Sequence, residues 1–298
     1  MIGNFDLPDT DQQRVWIYSN RTAPFLTWNK PPGINFVQII AVGAGGGGGG
    51  GRANNDLSLV YGGVGGSNGA YSVCFYPASL LPDIIYIQLG LGGTGGAGSG
   101  IGVTGGSGTN GGVTYVTWYP SITTSAYALL VALGGTGGVG GDTAGRGGAT
   151  AATAVGSTSI PISQIGNRVV LGGIASAGNT LPADIVANYR TTPGTTGGRW
   201  GSGASTFAAA SITYPAGDYV LQPIPGGGNN TGISGTSLVS FDDLIFTGGT
   251  GGSVNRTGTA GNGGNGGPGC GGGGGAAGNV IGSNGGRGGD GLVIITCG

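Results

Sequence analysis

Histidine and glutamate are absent from this 298-residue sequence, and lysine occurs once, at position 30. Without imidazole the chain cannot form a Ser-His-Asp triad, a Cys-His pair or a histidine metal site, so aspartate pairs are the remaining acid–base groups. The adjacent pair Asp242-Asp243 would point to opposite faces of a strand, or sit together in a loop. We therefore predict that the protein is not an enzyme and uses no cofactor.

Charge is scarce as well, at 7% of residues and a formal net charge of -1. The few arginines stand singly, so no basic surface is available to follow phosphates and we expect no nucleic-acid partner. No apolar stretch reaches the 18 residues of a membrane span, so we expect no membrane insertion. Residues 1–11 are polar and acidic, unlike a signal peptide.

Metal sites are not indicated either. The three cysteines lack CxxC spacing, which argues against a zinc site or a disulfide framework and favours small buried apolar residues. The segment 285–293 fits a calcium-binding nonapeptide, and 137–145 fits it loosely, but such sites need tandem copies. Turn-forming or capping roles are favoured for Asp142 and Asp290.

Glycine dominates what is present, with 77 residues beside 14 prolines, a composition that usually indicates disorder. Disordered chains, however, combine few apolar residues with high net charge, whereas 38% of this chain is hydrophobic. That content is enough for one large or two small domains with an apolar core. The glycines therefore need a structural explanation.

Short apolar runs recur along the chain and lead directly into glycine, as in Phe36–Val42 followed by Gly43–Gly51. The string LGGTGG stands at 91–96 and at 133–138 and returns as TGGTGG at 247–252, so the repetition is specific. In the first run both alternating faces are apolar except at Gln38, which is typical of a strand buried in a sandwich.

The glycine tracts themselves have a period of three, with Gly-Gly-X triplets at 134–142 and 285–290. A polyproline II-type helix has three residues per turn, so each triplet position forms one face and two faces are bare backbone. Bare faces let neighbouring helices exchange N–H and C=O groups. We expect X residues to point outward at the rim and a tract without side chains to lie at the centre: Gly45, Gly46, Gly47, Gly48, Gly49, Gly50 and Gly51.

The predicted fold class is therefore mainly β, with a small β-sandwich core, a bundle of glycine-rich polyglycine II helices, long loops and almost no α-helix. Collagen packs around a single axis and therefore needs glycine at only one position in three. These tracts have glycine at two positions in three, so the chain is not collagen-like.

Recognition is expected in polar, aromatic-bearing loops between the glycine tracts, because loops on a rigid scaffold vary while the scaffold does not. The ranges Arg52–Tyr61 and Arg190–Tyr214 qualify. Their candidate contact residues belong to types enriched at binding hot spots and adaptable binding loops: Arg52, Asn54, Asn55, Tyr61, Arg199, Trp200 and Tyr214. Packing of Trp200 and Tyr214 in a local core is an equally good interpretation.

The order of these motifs carries a resemblance. The segment Trp28-Asn29-Lys30-Pro31-Pro32-Gly33, followed by 36–46, resembles the opening of glycine-rich domains in bacteriophage tail-fibre and tail-tip proteins. Residues 70–82, 84–96 and 285–296 are similar to later parts of those domains, and together the resemblance spans Thr27–Gly298. Some adhesins of this type carry a stacked polyglycine II sandwich whose distal loops contact outer-membrane receptors.

The resemblance implies a structural protein of the bacteriophage virion, at the tail or capsid surface, and favours a tail-fibre or tail-tip adhesin. Its partners would be other virion proteins and a host cell-surface receptor, either protein or glycan, and self-association is left open. The implied division is an N-terminal attachment segment at 1–26 and a glycine-rich domain at 27–298 with a glycine-poor insertion around 174–246.

Two alternatives stay open. One is a capsid decoration or other virion assembly protein without receptor binding, in which the loops are buried against neighbouring proteins. The other is an ice-binding polyglycine protein, which would need a flat ladder of threonine or alanine, approached here by Thr94, Thr136 and Thr250.

Overall fold

The computed structural model describes residues 14–19, 24–54, 61–122, 127–143, 168–170, 185–186, 194, 212–213, 237–239, 244–254 and 260–298. Within these residues there is no α-helix, and one short 3-10 turn lies at Ala78–Leu80. The fold is mainly β, which confirms the predicted class. The strands are β1 (Arg14–Tyr18), β2 (Leu26–Asn29), β3 (Phe36–Val42), β4 (Tyr71–Pro77), β5 (Ile84–Gln88), β6 (Thr114–Thr117), β7 (Ala128–Ala132), β8 (Arg168–Val170), β9 (Ile185–Val186), β10 (Ile212–Thr213), β11 (Ser237–Val239), β12 (Leu244–Phe246) and β13 (Leu292–Cys297).

Two antiparallel sheets carry most of these strands. The first has the order β1-β13-β3-β4-β8 and the second the order β2-β5-β6-β7. Two short pairs, β9 with β10 and β11 with β12, complete the described strands. Because β3 pairs with both β4 and β13, the opening and closing segments of the predicted domain meet in the centre of one sheet.

The core lies between the two sheets. From β3 it takes Val37, Ile39 and Ala41, and opposite them it takes Ile85 and Ile87 from β5. The other face of β3, with Ile40 and Val42, packs into a second apolar cluster. The alternation of two apolar faces thus buries β3 on both sides, as its sequence predicts.

All three cysteines are free and buried, in agreement with their expected role as small apolar residues. Burial raises the pKa of Cys74 and of Cys297, because a thiolate would have to leave water. Beside Cys74, the Tyr76 hydroxyl donates to the carbonyl oxygen of Leu129 at 2.7 Å, which ties β4 to β7 across the core. Burial also raises the pKa of this phenol.

The single lysine holds the connection between β4 and β5. The Nζ atom of Lys30 donates to the carbonyl oxygens of Ala78 and Leu81, at 3.2 and 2.7 Å, and pairs with the carboxylate of Asp83 at 3.2 Å. The lysine side chain is 19% exposed and that of Asp83 is 91% exposed. The two hydrogen bonds from Lys30 to carbonyl oxygens are therefore better shielded from water than its ion pair with Asp83.

We expect Lys30→Met to lower the free energy of unfolding by about 1–3 kcal/mol, because two carbonyl oxygens lose a charged donor. Asp83→Asn is the matched control, and we expect it to change stability by less than about 1 kcal/mol, since exposed ion pairs contribute little. Urea denaturation of the full chain measures both. Equal losses in the two variants would show that the ion pair, not the carbonyl bonds, holds this connection.

The N-terminal residues that the structure describes belong to the sandwich. Arg14–Tyr18 form β1 and pair with β13 in register from Arg14 opposite Cys297 to Tyr18 opposite Val293. The role of residues 1–26 in attachment stays a prediction. Most of the glycine-poor insertion lies outside the described residues. No helix in the described part of the chain is long and apolar enough to cross a bilayer.

Candidate functional site

Among the described residues, nine glycine-rich segments extend from the sandwich and pack side by side as a hydrogen-bonded lattice. The strands β3, β5, β7 and β12 run directly into four of them. We label the segments in chain order as g1 (43–54), g2 (61–70), g3 (89–100), g4 (101–113), g5 (133–143), g6 (247–254), g7 (260–268), g8 (269–278) and g9 (281–291).

Segment g1 is the centre of this lattice, and its N–H groups serve three neighbours in rotation. Gly43, Gly46 and Gly49 donate to g2. The residues that follow them, at 44, 47 and 50, donate to g4, and those at 45, 48 and 51 donate to g9. All of these distances lie between 2.8 and 3.1 Å. Within each neighbour, the residue number of the acceptor falls as the residue number of the donor in g1 rises. The segments g2, g4 and g9 therefore run antiparallel to g1.

The carbonyl oxygens of g1 serve three other neighbours with the same period. Those of 44, 47 and 50 accept from g5, those of 45, 48 and 51 accept from g3, and those of 46, 49 and 52 accept from g8. These neighbours run parallel to g1. Every N–H from 43 to 51 and every C=O from 44 to 52 is therefore bonded, which answers where the backbone groups of a side-chain-free tract go.

The six neighbours close a ring around g1. Going round, g3, g4, g5, g2, g8 and g9 are each hydrogen-bonded to the next, and g9 is bonded to g3. Parallel and antiparallel segments alternate, because each antiparallel segment donates to both of its parallel neighbours. The three-residue repeat predicted from the Gly-Gly-X triplets is thus the repeat of the hydrogen bonds.

Close packing explains why the central tract carries no side chains. A Cβ built on Gly45, Gly46 or Gly47 would fall within 3.0 Å of a backbone carbonyl oxygen in g8, g5 or g3, closer than real Cβ atoms come. All of residues 43–51 are buried. Residues 45–51 therefore lie at the centre of the lattice, where the sequence analysis expects them.

A second centre, which the sequence analysis missed, is g8. It donates to g1, g7 and g9, and it accepts from g1, g2, g6 and g9. Gly194 lies beside it, because the N–H of Gly194 donates to Gly66 in g2 and a Cβ there would fall within 3.0 Å of the Gly272 carbonyl oxygen. The unbroken run Gly271–Gly275 is the signal that could have identified this second centre.

The X residues point outward at part of the rim. Leu91, Thr94 and Ala97 of g3 are exposed at every third position, and so are Asn284 and Arg287 of g9. The prediction is wrong for g6, in which Thr247 and Thr250 are fully buried. A ladder of Thr94, Thr136 and Thr250 on one exposed face is therefore not present.

Side-chain oxygens satisfy N–H groups at the rim that no neighbouring carbonyl reaches. Asn284 accepts from the N–H of Gly98 at 2.8 Å, and Asn262 accepts from the N–H of Asn284 at 3.0 Å. Asp290 accepts from the N–H of Gly92 at 2.7 Å and pairs with Arg287. Asp290 thus has the capping role favoured by the sequence.

Three predicted contact residues can be placed. Arg52 and Asn54 follow the central tract and are held against g8, since Gly278 donates to the Arg52 carbonyl at 3.0 Å and accepts from the N–H of Asn54 at 3.1 Å. Asn54 is buried. Tyr61 is half-buried at the start of g2, where its N–H donates to the Asp142 carbonyl at 3.0 Å. Asn55, Arg199, Trp200 and Tyr214 lie outside the described residues.

Around Arg52 the structure gathers exposed aliphatic side chains that the sequence analysis did not select. Backbone bridges join Ala53 to Ile101 and to Gly278, and Gly100 to Ile281, so the turns after g3 and g8 lie beside the end of g1. The exposed side chains of these turns, together with Arg52, form what we call the tip surface: Arg52, Ile101, Val103, Val280 and Ile281.

The Arg52 guanidinium forms no ion pair within the described part of the chain, and its buried Nε has no hydrogen-bond partner there. The backbone of Arg52 is held in place, and no acidic side chain in the described part of the chain pairs with its charge. A ligand that offered both an acceptor and apolar contacts would match this surface.

A second exposed cluster lies at the opposite end, in the connection between β6 and β7. The rings of Trp118 and Tyr119 each lie 5.1 Å from the ring of Tyr127, and 6.5 Å from one another. We call the rings of Trp118, Tyr119 and Tyr127 the base cluster. Residues 14 and 298 share this end of the molecule, because Arg14 faces Cys297 and the N–H of Asn35 donates to Gly298.

Metal ligands do not gather anywhere among the residues whose positions are described. Asp142 is 5% exposed at the end of g5. No protein-family model matches this chain, and no curated protein is similar to it in sequence.

Proposed function

We propose that this protein is a non-enzymatic structural protein of a bacteriophage virion, a tail-fibre or tail-tip adhesin that presents receptor-binding loops on a rigid polyglycine scaffold. The observation that carries the proposal is the central segment, in which every N–H from 43 to 51 and every C=O from 44 to 52 is bonded to one of six neighbours. Such a lattice has little freedom to bend, so whatever its far end contacts is held at a fixed distance from the sandwich.

The two exposed surfaces support this orientation. The base cluster lies at the end with residues 14 and 298, and the tip surface lies where the glycine segments turn back. Aromatic residues are enriched in protein–protein interfaces, so the base cluster suits contact with another virion protein. The tip surface combines one arginine with aliphatic side chains, which suits a receptor on the host cell.

The experiment compares binding of labelled full-length protein to a panel of bacterial cells with binding of two double variants. Val280→Asp/Ile281→Asp changes the tip surface, at side chains that are 63% and 59% exposed. Val15→Asp/Ile17→Asp is the matched control on β1, at side chains that are 57% and 56% exposed.

We expect saturable binding by the unaltered protein, about a tenfold or greater loss for the tip variant and no change for the control. Circular dichroism and thermal unfolding check that both variants fold. Deletion of the whole range 190–214 is avoided, since Gly194 packs in the lattice.

The second candidate is a virion assembly or decoration protein without receptor binding, favoured by the aromatic base cluster. It predicts that no bacterial cell in the panel binds the protein saturably, whereas Trp118→Ala/Tyr119→Ala abolishes incorporation into particles. Saturable binding lost only in the tip variant decides for the adhesin. Full binding by both aspartate variants would remove the tip surface from the proposal.

A further inference from the structure

The lattice contains five Asn-Gly pairs and one Asp-Gly pair, and these are the sequences most prone to a spontaneous chemical change. The pairs begin at Asn68, Asn110, Asn262, Asn265, Asn284 and Asp290. In an Asn-Gly pair the glycine nitrogen attacks the asparagine Cγ, ammonia leaves and a five-membered succinimide forms. Water then opens the ring at either carbonyl, giving aspartate or isoaspartate, and for Asp-Gly the leaving molecule is water.

Attack requires a glycine nitrogen that is free to approach the side chain. In all six pairs this N–H instead donates to a carbonyl oxygen of a neighbouring segment, at 2.8 to 2.9 Å. Gly285 donates to Gly96, Gly263 to Asn284 and Gly111 to Gly135. The nucleophile is therefore held in a hydrogen bond to a neighbouring segment and is not free to approach the side chain.

The side chains are held as well. Asn110, Asn262, Asn265, Asn284 and Asp290 each accept a backbone N–H from another segment through a side-chain oxygen, at 2.7 to 3.0 Å. Four of these, Asn110, Asn262, Asn265 and Asn284, are exposed to water. Their protection thus comes from the fixed geometry of both reacting groups and not from exclusion of solvent.

We propose that these six pairs are latent modification sites that the lattice keeps unreactive, and that local opening of a rim segment exposes them to deamidation or isomerisation. The two products of the reaction differ in their effect on the lattice. Aspartate still offers an oxygen to the neighbouring N–H, whereas isoaspartate adds one carbon to the backbone and breaks the three-residue register on which each following hydrogen bond depends. A segment that has formed isoaspartate therefore cannot fully close again.

The test measures conversion at each pair by peptide mapping after incubation of the full-length protein in mildly alkaline buffer. The same chain unfolded in guanidinium chloride, in the same buffer, supplies the unprotected rate. We expect conversion at the five Asn-Gly pairs to be slower in the folded protein by about 100-fold or more, because reaction there waits for local opening. Rates within about threefold of the unfolded chain at these pairs would overturn the proposal.

A local variant separates this mechanism from overall stability. Asn262→Ala removes the acceptor of the Asn284 N–H and leaves g4 and g5 untouched. We expect faster conversion at Asn284, with an unchanged rate at Asn110, whose side chain caps Gly137 on another side of the bundle. An unchanged rate at Asn284 would contradict the proposed protection, and the comparison of folded with unfolded chain decides the matter if this variant does not fold.

Discussion

Replacing Gly48 with alanine is expected to lower the free energy of unfolding by about 3 kcal/mol or more, enough to prevent folding of a marginally stable chain. The added Cβ would fall within 3.0 Å of the carbonyl oxygen of Gly273. That oxygen belongs to the second lattice centre and accepts the N–H of Gly286, so it cannot move aside without breaking a further bond. Guanidinium chloride denaturation of the full chain measures the loss.

Gly100→Ala is the matched control, because a Cβ at Gly100 would meet nothing within 4 Å. Gly100 also has no positive φ, unlike Gly102 in the same turn, with φ 78°. We expect this variant to be neutral or slightly more stable, by up to about 1 kcal/mol, through a smaller entropy of the unfolded chain. Equal stability of the two variants would mean that the centre of the lattice is not close-packed.

The sequence predicts the lattice well where the determining pattern is local. Side-chain alternation in Phe36–Val42 identifies a strand buried on both faces, and the absence of side chains in 45–51 identifies a tract that only backbone can surround. Both features depend on residues adjacent in the chain. The periods of two and three are visible in the sequence because they are properties of the single segment.

The choice of neighbours is not visible in the same way. The Gly-Gly-X pattern of 247–252 is like that of 91–96, yet g3 lies at the rim with Thr94 exposed and g6 is covered with Thr250 buried. The two segments differ in their neighbours, since g3 bonds to g1, g4 and g9 whereas g6 bonds to g7 and g8. A triplet pattern therefore predicts the helix type and its repeat, whereas burial is decided by the whole assembly.

The candidate site shows a similar division. Arg52 could be selected from sequence because it ends a glycine tract and starts a polar loop. Ile101, Val280 and Ile281 could not, since they sit in short turns and reach the same surface through bridges of g1 with g4 and g8 and of g3 with g9. The alternation of parallel and antiparallel segments brings these turns to one end.

Hydrogen exchange is expected to separate the lattice into layers, with the amides of Gly45–Gly51 slowed by about 10⁴-fold or more relative to an unfolded chain. All seven N–H groups donate to neighbouring carbonyls, and all seven residues are buried. Their release requires separation of g1 from g2, g4 and g9 together, because the donors rotate among those three segments. We therefore expect these amides to exchange through global unfolding.

Gly98 and Gly102 provide the comparison within the same experiment. The N–H of Gly98 donates to the side chain of Asn284 at the rim, so we expect intermediate protection. Gly102 is exposed in the turn after g3, so we expect exchange much faster than at the centre. Mass spectrometry with fragmentation, or NMR of glycine-labelled protein, resolves the three groups. Fast exchange at Gly45–Gly51 would contradict a rigid centre, and with it the basis for proposing that this scaffold holds a distant recognition surface in place.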